Sequence, residues 1–142
     1  MRLTPEQLAE QALEVFVERF EAVQDDLRAL ASPRPIVADG WGLRPELVAP
    51  VTSSTQRMVV MVPTEEFRQH QLARLPRAGT FWLQVSDPEL AQRNRIERDR
   101  LVAEDAVRNA RRLNIRVIEV DGTHDAIAIA GMVAEHFREF LP

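Results

Sequence analysis

The chain has 142 residues, 45% hydrophobic and 28% charged, with a formal net charge of −4. That balance describes one globular domain, excludes a disordered or fibrous chain, and argues against nucleic acid as a partner. With no Cys there are no disulfides or thiolate metal sites, and the apolar runs are too short and interrupted for a membrane span. Residues 1–10 are polar and do not read as a secretory leader, so a cytoplasmic protein is expected.

Thr4-Pro5-Glu6-Gln7 places a capping residue before a helix-starting Pro and a reciprocating Gln. Leu8, Ala12, Phe16, Phe20, Val23, Leu27 and Leu30 then recur every three or four residues, which predicts a long amphipathic helix ending near Ser32-Pro33. Pro35-Ile36-Val37-Ala38 reads as a short buried strand closed by Asp39-Gly40, and Arg44-Pro45-Glu46-Leu47-Val48 as a short helix. The run 57–63 is the clearest buried strand, since five apolar residues follow one another before Pro63 stops them. Thr64 caps a helix through about Leu75. A loop or lid edge over 76–85 carries Gly79 and the pair Phe81-Trp82.

Ser86-Asp87-Pro88-Glu89 starts the longest polar helix, which ends near Leu113-Asn114. A third strand, 115–120, turns at Asp121-Gly122 into a last helix over 123–141. Strands alternating with helices predict an α/β fold, a parallel sheet of about three strands with flanking helices in three layers, in one domain covering 1–142.

Several residues are candidates for chemistry. Asp39 and Gly40 follow a predicted strand, where open parallel sheets bind ligands, though an ordinary Asp-Gly turn explains them equally well. Arg44 faces the same crevice in this reading, and Trp41 either packs or lines it. On the polar helix, at about 100° per residue, the stripe of Val102, Ala106, Ala110 and Leu113 extends back through Asp99 and Arg95. Those two are expected to point inward with Arg98 on the flank, while Arg93 and Arg100 are expected to be solvated. Arg95 and Asp99 also have the spacing of a simple helix ion pair. His70, His124 and His136 share no metal-ligand spacing, and Ser53 and Ser54 lack a nucleophile-elbow pattern. All 18 basic residues are Arg, a bias that gene composition suffices to explain, although planar guanidiniums also suit anion recognition.

Taken together, the segments 36–45, 58–63, Asn94-Arg95 with Arg98-Asp99, and 117–122 resemble small P-loop kinases, the nucleoside monophosphate kinases and related small-molecule kinases. The resemblance implies an ATP-dependent phosphotransferase using ATP and magnesium, with Asp39 in the acidic acceptor-side role and Arg44 and Trp41 at the acceptor. It implies a lid over about 76–100 in which Arg95 and Arg98 close on the phosphoryl group and Asp99 orients them, and it sets Asp121 and Gly122 beside the adenine. The sequence departs from the family at its defining feature: G-x-x-x-x-G-K-[ST] is absent and there is no Lys to serve it. The chain then reads as the C-terminal part of such a kinase, inactive alone. The alternative is a non-catalytic interaction or oligomerisation module, with a homo-oligomer or a complementing chain as partner.

Overall fold

The computed structural model describes residues 3–74 and 85–142. Helix α1 spans Pro5–Ala29, α2 Pro45–Val48, α3 Glu65–Arg74, α4 Pro88–Arg112 and α5 Ala126–Phe137; strands β1, Val59–Pro63, and β2, Arg116–Val120, form a parallel pair. The architecture is α/β, mostly helical, and β1 crosses to β2 through α3 and α4.

The capping signals at Thr4 and Asp87 act as the sequence reading expects, and Asp125 adds a cap to α5 that it did not name. Thr4 Oγ1 accepts from Gln7 N while Gln7 Oε1 accepts from Thr4 N at 2.9 Å, a reciprocal cap that satisfies two otherwise orphaned donors of α1. Asp87 caps α4 by accepting from Leu90 N at 3.1 Å, and Asp125 caps α5 by accepting from Ala128 N at 2.8 Å. The end of α4 is a tight left-handed stop: Asn114 takes φ 55°, and Ile115 N donates back to Ala110 O at 2.8 Å. That stop delivers Ile115 into the core and aims β2 back along α4.

Val60 packs on Ala106, Ala110 and Ile115, with Val62, Val117, Leu113 and Ala49 around them. The small side chains of α4 admit the sheet at close range, and Ala110 is fully buried. The first half of α4 instead packs along α1, where Ala9 and Phe20 are buried and Asn94 Nδ2 donates to Leu3 O at 3.2 Å. One helix thus holds both the sheet and α1. On the far side, Nε2 of His136 lies 2.9 Å from Met58 O and Arg57 stacks over Phe140, 4.6 Å from the ring centroid, tying α5 and the turn after it to the entrance of β1.

One expectation is corrected. Residues 35–38 form no strand: the stretch is exposed, with Ile36 at 46% and Val37 at 63%, and among the described residues the sheet has two strands, not three. A strand exists only through its ladder, and this short run, with Pro33 and Pro35 unable to donate, pairs with no strand among the described residues. Of the segment 76–100 that the resemblance sets in a lid, residues 88–100 are the first half of α4, the helix expected from 86–89, and pack along α1, while 76–84 fall outside the described residues.

Candidate functional site

The turn 40–43 closes with Leu43 N donating to Gly40 O at 3.1 Å, and a Cβ on Gly42 would lie 3.7 Å from Phe16 Cδ1, so this turn rests on α1. Arg44 locks it to α4. Its side chain is 2% exposed; Nη1 donates to Val102 O at 3.1 Å, Nη2 to Asp105 Oδ2 at 2.5 Å, and Nε to Glu46 Oε1 at 3.2 Å. A buried guanidinium is tolerated because its planar fork is met on each side by an acceptor. All three of its nitrogens are engaged with the protein, which makes Arg44 an anchor for the turn, not a group facing the crevice.

The anchor brings Trp41 to an open groove between α1 and α4, about 510 Å³ in volume, lined also by Leu8, Val15, Phe16, Arg98 and Asp99. Trp41 is 54% exposed, and Arg98 and Asp99 are each 35% exposed in their side chains. Arg98 Nε and Nη2 both donate to Asp99 Oδ1, at 2.9 and 2.6 Å. Among the described residues, Arg98 Nη1 and Asp99 Oδ2 have no protein partner. The groove therefore offers an indole wall and an apolar floor, with one donor group and one carboxylate oxygen beside each other at its side.

The remaining candidates are scattered. Arg95 does not pair with Asp99; its Nε is buried without a hydrogen bond, and Arg95 does not line the groove. Asp39 is exposed and pairs with none of the described residues. Arg100, expected to be solvated, is ion-paired with Glu97 at 2.6 Å and also with Glu104. The Arg100 hydrogen bonds hold the Glu97 carboxyl below its ordinary range, and the two glutamates push the guanidinium pKa up. Arg93 is exposed as expected.

Asp121 and Gly122 lie at the C-terminal end of β2, outside the groove lining. Asp121 Oδ1 accepts from the Thr123 hydroxyl at 2.6 Å and from Thr123 N at 2.9 Å, and these bonds, the hydroxyl's first, lower its pKa. Gly122 takes φ +87° with Phe67 pressed against it, where a Cβ would meet Cδ2 at 2.8 Å. Neither residue meets Trp41 or Arg98 in the groove.

Sequence reasoning found Trp41, Arg98 and Asp99 but missed their opposite wall on α1 and the Asp105 partner of Arg44. The α1 wall was visible in the stripe through Leu8, Ala12 and Phe16. Asp105 had no signal beyond its place one turn from Val102. The residues do not fit magnesium-ATP: among the described residues no three His, Asp or Glu are placed to hold a metal ion, and the chain has neither Lys nor a phosphate-binding glycine loop. Among the described residues no helix is long and apolar enough to cross a membrane. Comparison with protein-family models, curated proteins and solved structures found no match to this chain.

Proposed function

We propose that this chain is the acceptor-binding portion of a small-molecule phosphotransferase of the P-loop kinase type, unable to transfer phosphate by itself. The convergence of Trp41 with Arg98 and Asp99 in one groove carries the reading. An indole face suits a flat ring, the aliphatic floor excludes water beneath it, and Arg98 Nη1 and Asp99 Oδ2 suit an anionic or hydroxyl group at its edge. The parallel β1–β2 pair with its helical crossover is consistent with that fold class. The phosphate grip and its Lys would have to come from another polypeptide segment.

Trp82→Phe leaves Trp41 as the single indole and tests this reading. Nucleosides and nucleoside monophosphates serve as ring-bearing probes, with inorganic phosphate as control. Saturable change in Trp41 emission with a probe, weakened about tenfold or more in Arg98→Ala, is expected; no change with any probe at millimolar concentration refutes the proposal. The purified chain is also expected to show no ATP turnover.

A further inference from the structure

β1 is the least protected edge of the sheet. Val59–Pro63 carries no charge, whereas β2 carries Arg116 and Glu119, and Arg111 lies across to Glu119 at 3.0 Å. Charged side chains on an edge strand oppose further pairing, and only β2 has them.

The hydrogen bond from Thr64 N to Val120 O at 2.9 Å fixes the direction of every backbone group in β1. The N–H and C=O of one residue point to the same side, and successive residues alternate. Val60 and Val62 therefore serve β2, while Val59, Met61 and Pro63 turn their backbone groups to the opposite side, where no strand pairs among the described residues. The N–H donors of Val59 and Met61 stand at that open edge, and Met61 is 53% exposed.

We infer that this edge pairs with the same edge of a second copy of the chain, antiparallel about a two-fold axis at Met61. In that register the two Met61 residues exchange both N–H···O bonds, and each Val59 N–H reaches the Pro63 carbonyl of the other copy. Every N–H donor on the edge is then satisfied. Pro63, with no N–H to give, falls where its carbonyl is the group required, and the Val59 carbonyl alone is left to water. The strand is thus complementary to itself, so a second copy satisfies both of its edge donors without any other chain. It also extends the strand pair that rests on α4 into a four-stranded sheet.

This inference is independent of the phosphotransferase reading, since β1 lies outside the groove.

Because the chain has no Cys, single-Cys variants report the pairing cleanly. Met61→Cys is expected to be linked into a covalent dimer by a short bismaleimide, while Arg116→Cys on β2 and Val37→Cys on the exposed 35–38 stretch are not. Met61→Pro removes an N–H that β2 does not use, and is expected to halve the sedimenting mass to 16.2 kDa with helical circular dichroism retained. A monodisperse wild-type monomer at micromolar concentration overturns the inference. So does linkage at position 116 or 37 equal to that at 61, or a folded Met61→Pro variant that stays dimeric. If Met61→Pro does not fold, the linkage pattern decides alone.

Discussion

Replacing Arg44 by Met should unfasten the turn that carries Trp41 and cost the fold about 3 kcal/mol, a large share of the ~5–15 kcal/mol that holds a domain together. Three losses make up the figure. The bond from Nη2 to Asp105 is charge-assisted and its Arg partner is 2% exposed, which sets it at about 2 kcal/mol. Asp105 itself keeps Arg108 and Asn109, so it is not left bare. The bond to Val102 O adds about 0.5–1 kcal/mol, the lower part of the usual range, because a carbonyl inside α4 also accepts within the helix. Glu46 is 29% exposed, and its screened pairing contributes about 0.5 kcal/mol. Met fills the volume of the stem, so no large cavity is added. Urea unfolding followed by far-UV circular dichroism, at one protein concentration, should show the midpoint falling by about 1.5 M at an m-value of about 2 kcal/mol/M. A loss under about 1 kcal/mol would refute the view of Arg44 as the anchor and leave the turn held by Pro45 and Gly42 packing.

Other expectations follow from the same geometry. Gly122→Ala combines a left-handed backbone with a Cβ 2.8 Å from Phe67, and should cost about 1–3 kcal/mol in thermal unfolding; an unchanged melting temperature would mean that the turn relaxes freely. Thr4→Ala removes the reciprocal cap of α1 and should cost about 1 kcal/mol, with hydrogen exchange accelerated in the first turn; unaltered exchange there contradicts it. The folded pKa of Glu97 is depressed by Arg100, so the stability it contributes is present above its ordinary value of 4.5 and is lost as pH falls through the depressed folded value. A carboxyl-detected NMR titration should place its midpoint below 4.5 and return it toward 4.5 in Arg100→Gln; identical midpoints in the two proteins would refute the pairing.

Local signals were the ones legible in the chain. The caps at Thr4 and Asp87, the apolar stripes of α1 and α4, and the uncharged run of β1 each depend on neighbours within a few residues, and each element formed near its expected bounds. What depended on distant partners was not legible. Residues 35–38 have the composition of a strand yet pair with no strand among the described residues, because composition specifies a willingness to pair and not a neighbour. Arg44 and Asp105 are far apart in sequence, and their bond exists only once α2 docks on α4. Asp99 took its adjacent Arg98 in place of Arg95, because Arg98, on the flank of the helix, reaches Oδ1 along the groove, whereas Arg95 Nε is buried.

The central claim is that the α1–α4 groove is a ligand site whose charged edge serves binding more than folding. Ligand affinity and urea stability measured side by side for wild type, Arg98→Ala and Arg95→Ala test it most directly, with the probe being whichever nucleoside or nucleoside monophosphate perturbs Trp41. Arg98→Ala should weaken binding by about tenfold or more, about 1.4 kcal/mol, while stability moves by about 0.5 kcal/mol, the scale of a half-exposed ion pair. Arg95→Ala, outside the groove lining, should affect binding less than Arg98→Ala. Undiminished binding in Arg98→Ala, or equal losses in affinity and stability, would contradict the account and return Arg98 and Asp99 to a surface ion pair.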